Sequence, residues 1–117
     1  MAKKREPLLF LGDISKAIQK IEEYIQPGKE EFFQNETIQD AVFFRLQTIG
    51  EAVNQLPEEM KIQYPEIRWK DIVGFRNILA HRYWRVDLDV VWGIFVSGGD
   101  LEQLKTAVDE LIKESSS

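Results

Sequence analysis

The sequence predicts an all-α protein, an up-and-down helical bundle of about five to six helices joined by short connections. Three observations support this fold class. Apolar residues recur at spacings of three and four along most of the chain, which is typical of amphipathic helices. No segment alternates apolar and polar residues over a useful length, as a half-buried strand would. Proline and glycine fall between the periodic segments, where they end helices.

An apolar stripe defines the first helix, which Pro27 and Gly28 terminate. Its members are Leu11, Ile14, Ile18, Ile21 and Ile25. Asn35 or Thr37 can cap a second helix, because either side chain can accept a hydrogen bond from a free backbone N–H. The apolar residues of that helix are Ile38, Val42, Ile49, Val53 and Leu56.

The second helix has an unusually wide apolar face. Phe43, Phe44 and Leu46 extend it beyond a single stripe, which favours burial against more than one neighbour, including a second subunit. Pro57 closes this helix, and residues 58–64 are predicted to form a short helix before the next proline.

The second half of the chain contains the remaining helices. A long helix is predicted from Trp69 to Trp84, and Asp87 opens a further one that residues 97–99 interrupt. Asp100 is expected to cap the last helix. The chain is therefore predicted to form a single domain over residues 1–117 with a core of about 8–113, and the N-terminal residues and the serine tail 115–117 are expected to be flexible.

Composition excludes several kinds of chemistry. The absence of cysteine from the 117 residues excludes disulfides, thiolate metal sites and cysteine nucleophiles. With a single histidine as well, the sequence predicts neither a metal site nor a cofactor. The apolar run at residues 8–11 is too short for a signal peptide, and no segment is long enough to span a membrane, so a cytoplasmic location is expected.

Charge is distributed unevenly along the chain. Residues 68–85 contain five cations and one anion, a net charge of +4, which leaves −9 for the rest of a chain whose total is −5. The cations are Arg68, Lys70, Arg76, Arg82 and Arg85. A local basic patch on an acidic body suits a small anionic target better than a long groove along a nucleic acid.

His81 is the only histidine and lies in this basic segment, five residues after Arg76. An imidazole near its usual pKa can transfer a proton to or from RNA, and a guanidinium can hold the phosphate with a planar, bidentate fork. Cleavage by the RNA's own 2′-hydroxyl requires both a base and an acid. Two facing subunits would place two copies of each residue around one phosphate, which predicts a homodimer with a shared cleft. A monomer that uses His81 with water or Tyr83 is the alternative.

Neighbouring residues could support this chemistry. Asn77 lies one helical turn before His81 and could orient the imidazole or a phosphate oxygen. Tyr83 and Trp84 could stack on an unpaired base. Lys70, Arg82 and Arg85, together with Trp84, are the candidate RNA-binding residues.

Each of these residues also has a purely structural interpretation. The histidine could be a surface or capping residue, the arginine could pair with a carboxylate, and the aromatic residues could belong to the core. Glu51, an acid within a strongly apolar helix, is expected to be half-buried and paired with Arg45 or with a residue of the basic helix. An acid–base role for Glu51 stays open.

Three segments together resemble the HepT family of the HEPN superfamily of all-α proteins. They are residues 37–42 leading to 49–52, residues 64–69 followed by Ile72, and residues 74–77 through 81–83 followed by 86–87 and 91–92. The third fits the family pattern of an arginine, four residues, a histidine, one residue and a tyrosine. The turn at residues 97–99 departs from the proline-containing turn of many relatives.

The resemblance implies a homodimeric, metal-independent ribonuclease that acts as the toxin of a toxin–antitoxin pair. It implies Arg76 and His81 as the catalytic residues, with Asn77 as the polar neighbour of the arginine. Tyr83 would match the tyrosine that an MntA-type minimal nucleotidyltransferase, the antitoxin, modifies with AMP. The alternatives are a module that binds a nucleotide or partner enzyme without catalysis, and a helical dimer that only scaffolds its partner.

Overall fold

The protein is an all-α bundle, as predicted. A computed structural model describes the backbone of residues 7–82 and 86–116 and the side chains of residues 7–80 and 86–115. Within these ranges there are seven α-helices, one π-helical turn and no strand. They are α1 (Pro7–Tyr24), α2 (Lys29–Gln34), α3 (Glu36–Gln55), α4 (Glu58–Lys61), α5 (Trp69–Arg82), α6 (Leu88–Val91), the π-helical turn (Trp92–Ser97) and α7 (Asp100–Ser116).

Helix α3 lies at the centre of the bundle. It packs against both α1 and α5, and α1 also packs against α7. The predicted stripe of α1 is buried at Leu11, Ile14, Ile18 and Ile21, whereas Ile25 lies beyond the end of the helix at Tyr24 and is only half-buried. None of the described helices is long and apolar enough to cross a membrane.

The wide apolar face of α3 is only partly used within the subunit. Phe43 and Leu46 are buried in the core, whereas Phe44 is 62% exposed. The Arg45 guanidinium lies over the Phe44 ring, 5.4 Å from the ring centre. Burial is therefore confirmed for Phe43 and Leu46, and α3 as a whole packs against both α1 and α5. Contact with a second subunit stays a prediction.

Helix α2 is an element that the sequence did not predict. Its six residues are too few for a recognisable apolar period, and they follow a turn in which Gly28 has a φ of 109°. Phe32 is nevertheless among the most buried side chains and lies 5.4 Å, centre to centre, from the ring of Trp92. Tertiary packing on that ring explains a helix that local preference alone does not support.

The predicted caps are confirmed at two helices and wrong at one. The side chain of Asn35, rather than Thr37, accepts a hydrogen bond from the Ile38 N–H at the start of α3, and Asp87 caps α6. Asp100 was expected to cap α7, but it is the first residue of that helix, and its carboxylate accepts a 2.6 Å bond from Arg68. A nearby cation outcompetes the exposed backbone amides for this carboxylate.

Several helix boundaries differ from the predicted ones. Helix α4 ends at Lys61 instead of continuing to 64, and α7 continues through Ser116 into the tail. Helix α5 begins at Trp69 as predicted and is described as far as Arg82, so its predicted end at Trp84 falls outside the described residues.

The chain turns between α6 and α7 at the predicted position, but through a π-helical turn that the sequence does not reveal. A side chain at Gly98 would collide with the backbone carbonyls of Gly93 and Ile94, and Gly99 has a φ of 85°. These two glycines allow the tight exit from the π-helical turn into α7.

Tyr64 connects the segment before α5 to helix α7. The ionisation of its hydroxyl is expected to make the stability of the protein depend on pH. Its hydroxyl donates a 2.9 Å hydrogen bond to Glu110, and burial together with that bond raises the pKa of Tyr64 from 10.0 to about 12. A folded-state pKa above the unfolded value contributes stability that is present below about pH 10 and is lost as the pH rises towards 12.

We therefore expect the difference in melting temperature between wild type and Tyr64→Phe to shrink as the pH rises from 9 to 12. Thermal unfolding followed by circular dichroism measures it, and the remaining tyrosines titrate equally in both proteins. A difference that stays constant across this range would contradict the prediction.

Candidate active site

Helices α3 and α5 approach each other closely at Gly50. A Cβ atom at this position would lie 2.5 Å from Cβ of Arg76 and 3.2 Å from the carbonyl oxygen of Ile72. The first distance is shorter than real Cβ contacts and the second is unusually tight, so a side chain at this position would push the two helices apart. The base of the Arg76 side chain consequently lies against the backbone of α3.

The guanidinium of Arg76 is held by one hydrogen bond and by burial of its Nε atom. Its Nη2 donates a 2.9 Å hydrogen bond to Oδ1 of Asn77, while Nε is buried and has no partner among the described residues. The Nη1 group and the second Nη2 proton remain for an anion. This outer edge of the guanidinium can still bind two phosphate oxygens.

Arg76 faces an open cleft of about 410 Å³ between α1, α3 and α5, which we call the Arg76 cleft. Its lining residues are Phe10, Asp13, Thr48, Glu51, Ala52, Gln55 and Arg76. The residues from α3 are spaced by three and four and therefore share one helical face. The cleft thus combines one cation with two carboxylates.

The backbone of His81 lies on α5, five residues beyond Arg76. In an α-helix this separation corresponds to about 7.5 Å along the axis and about 140° around it. The side chains of His81 and Arg82 lie outside the described part of the chain, as do the whole of Tyr83, Trp84 and Arg85. The roles predicted for these five residues remain predictions.

Lys70 lies on a different surface from Arg76. It lines a second cleft of about 350 Å³, whose other walls are mainly apolar residues of α5, α6 and the π-helical turn. Arg76 is the sixth residue after Lys70, so the two side chains point about 120° apart around the helix. Arg68 lines this second cleft as well and is paired with Asp100. Part of the basic charge of residues 68–85 is thus neutralised locally and does not face the Arg76 cleft.

Glu51 differs from its predicted environment. It was expected to be half-buried and paired, but it is exposed and makes no hydrogen bond or ion pair to any residue that the structure describes. Arg45, its suggested partner, instead lies over the ring of Phe44. The prediction was wrong because Glu51 faces the Arg76 cleft rather than the core.

Sequence reasoning missed three residues that shape this cleft. Gly50 could have been identified, because a glycine inside an apolar helix usually marks a close packing contact. Asp13 and Phe10 carried no signal, since a single acid and a single aromatic residue on a surface helix are ordinary. They reach the cleft only because α1 packs beside α3.

Comparison with protein families identifies the chain. A family model described as ribonuclease HepT-like matches residues 14–111, which include the whole of α3 and α5. The chain belongs to the HepT-like ribonuclease family. This confirms the resemblance inferred from the three segments, and it confirms ribonuclease as the class of enzyme.

Curated relatives in this HepT-like family agree with the match. A probable ribonuclease HepT of Thermococcus cleftensis is 35% identical over 111 residues, 94% of this chain and 99% of the relative. A candidate RNase of Methanocaldococcus jannaschii is 33% identical over 107 residues, 91% of this chain and 96% of the relative.

Another relative from that archaeon is longer. It is named as a gamma-glutamylcyclotransferase and candidate RNase, and it is 34% identical over 112 residues, 95% of this chain. The chain spans 50% of the length of that relative. No solved structure matches the chain.

Proposed function

We propose that this HepT-like protein is a metal-independent endoribonuclease in which Arg76 binds the scissile phosphate and His81 transfers a proton. The observation that supports the proposal most directly is the placement of Arg76. Its side chain packs at its base against Gly50, donates a hydrogen bond to Asn77 and lines an open cleft. A guanidinium fixed in this way can stabilise the negative charge that develops on phosphorus without reorganising during the reaction.

The proposed reaction uses the 2′-hydroxyl of the RNA as its nucleophile. This oxygen loses its proton and bonds to the adjacent phosphorus, the bond from phosphorus to the 5′-oxygen breaks, and that oxygen gains a proton. The products are a 2′,3′-cyclic phosphate and a 5′-hydroxyl. Asn77 supports the reaction by orienting Arg76, and Lys70, Arg82, Trp84 and Arg85 are the proposed contacts for the rest of the RNA.

We further propose that the active protein is a homodimer. Phe44 on α3 and Ile78 on α5 are large apolar side chains that are 62% and 46% exposed, and contact with a second subunit would remove them from water. A two-fold axis near α5 would bring the two Arg76 clefts towards one another.

In the cell, we propose a role as a cytoplasmic toxin whose activity a cognate MntA-type nucleotidyltransferase silences. Attachment of AMP to Tyr83, two residues after His81, would add bulk and negative charge beside the site. Both effects oppose RNA binding, so the modification would act as an off-switch.

The decisive experiment is RNA cleavage by the purified protein in excess EDTA. We expect fragments that end in a 2′,3′-cyclic phosphate, identified by mass spectrometry, and a dimeric mass by light scattering. Cleavage that requires a divalent ion, or fragments with a 5′-phosphate, would contradict the proposed mechanism. A monomer at micromolar concentration would contradict the dimer.

A binding module without catalysis is the second candidate. The two carboxylates of the Arg76 cleft and the net charge of −5 favour it, because both oppose the approach of RNA. Toxicity on expression distinguishes the candidates. If Arg76→Ala and His81→Ala relieve toxicity, the protein is a catalyst, whereas toxicity that is unchanged by either substitution supports the module.

A further inference from the structure

Cleavage of RNA by its own 2′-hydroxyl needs two proton transfers, yet each subunit has one histidine and no cysteine. The proposed function therefore lacks a second proton-transfer group within the subunit. We propose that Glu51 is this group and acts as the general base. This inference rests on the proposed ribonuclease function.

The position of Glu51 is fixed by the same contact that fixes Arg76. Gly50 lies against the base of the Arg76 side chain, and Glu51 is the next residue of α3. Both Glu51 and Arg76 line the Arg76 cleft, one from each helix. A phosphate bound to the guanidinium edge would therefore lie in the same cleft as the carboxylate.

Glu51 is also available for proton transfer. It is solvent-exposed and makes no hydrogen bond or ion pair to another residue of the described chain. Asp13, the other carboxylate of the cleft, already has an interaction partner. A carboxylate oxygen without a protein partner can accept a hydrogen bond from a 2′-hydroxyl.

An unpaired carboxylate in an anion-binding cleft needs a functional explanation. It weakens the binding of a phosphate by charge repulsion, which a site built only for affinity would avoid. The repulsion is offset if the carboxylate removes a proton in the transition state, because a positioned base is worth about 10²–10⁴-fold in rate.

A Glu51 carboxylate oxygen accepts the 2′-hydroxyl proton as the 2′-oxygen bonds to phosphorus. The electron pair of the breaking bond leaves on the 5′-oxygen, which takes a proton from the His81 imidazolium. Glu51 ends protonated and His81 neutral, and exchange with water restores both.

The test compares Glu51→Gln with Glu51→Asp in the full-length protein, using an RNA oligonucleotide in EDTA. We expect Glu51→Gln to lower kcat at least 100-fold while RNA binding is unchanged or tighter, because the glutamine removes a repelling charge. The acidic limb of the pH–rate profile should disappear. Glu51→Asp should retain that limb and part of the rate, and Glu36→Gln, at the start of the same helix, should behave as wild type.

Three results would overturn the assignment. One is a Glu51→Gln variant as fast as wild type. Another is a slow Glu51→Gln variant that keeps the acidic limb, since that would make Glu51 a positioning residue for Arg76. The third is a folded Glu51→Asp variant that cleaves no faster than Glu51→Gln. Activity that needs His81 but not Glu51 would refute only this inference, whereas RNA that the wild type leaves intact would refute the proposed function itself.

Discussion

Replacement of His81 by alanine is expected to lower the rate of RNA cleavage by about 10²–10⁴-fold, the usual contribution of a positioned proton-transfer group. No other imidazole exists in the chain to take over its role. Arg76→Ala is expected to cost about 10²–10³-fold, because the developing charge on phosphorus loses its preorganised donors. Arg76→Lys should recover part of that loss, since it keeps the charge but not the planar fork.

The measurement is the initial rate at which a labelled RNA oligonucleotide is cleaved in EDTA, with each variant checked for folding by circular dichroism. Arg68→Ala is the matched control, because Arg68 lies in the same basic segment but is paired with Asp100 and lines the other cleft. If both the His81 and Arg76 variants cleave as fast as wild type, the observed activity does not come from this site.

The second large effect is expected from a single methyl group at Gly50. In Gly50→Ala the new Cβ would lie 2.5 Å from Cβ of Arg76, which cannot rotate away. Helix α5 must therefore move, and overpacking of this kind costs about 1–3 kcal/mol. Because displacement of a catalytic group by about 1 Å can cost 10²-fold, we expect cleavage to fall by about tenfold to a hundredfold.

Gly12→Ala provides the comparison. Gly12 is also helical, but a Cβ atom there would meet no other atom within 4 Å. This substitution should stabilise the protein by about 0.5–1 kcal/mol through the higher helix propensity of alanine, with no loss of activity. Thermal unfolding and cleavage rates of both variants measure the contrast. Equal stability and equal activity of the two would mean that the α3–α5 contact does not position Arg76.

Much of the fold could be predicted from the sequence because the long helices are amphipathic. The stripe from Leu11 to Ile21 is buried as predicted, and Asn35 and Asp87 cap the helices that follow them. Short elements could not be predicted in the same way. Helix α2 forms because Phe32 packs on Trp92, which is sixty residues away in the chain and leaves no local signal.

The sequence names candidate site residues but does not reveal their surroundings. Arg76 was identified from its spacing to His81, and Asn77 from its position beside the arginine. The environment of Glu51 was predicted wrongly, because its apolar neighbours suggested burial while its own helical face turns towards the Arg76 cleft. Lys70 and Arg76 also line different clefts, because their positions on the helix point in different directions. Counting charges along the chain does not show this difference.

The sequence by itself determined the all-α class, the family and the presence of one arginine and one histidine five residues apart, since periodicity and spacing are local properties of the chain. Only the tertiary structure decided which side chains share a cleft with Arg76. That outcome depends on how closely α3 approaches α5 and on which face α1 presents beside them. Both are set by packing between distant segments. Because Gly50 has no side chain, α3 and α5 approach closely enough for the Glu51 carboxylate and the Arg76 guanidinium to line the same cleft.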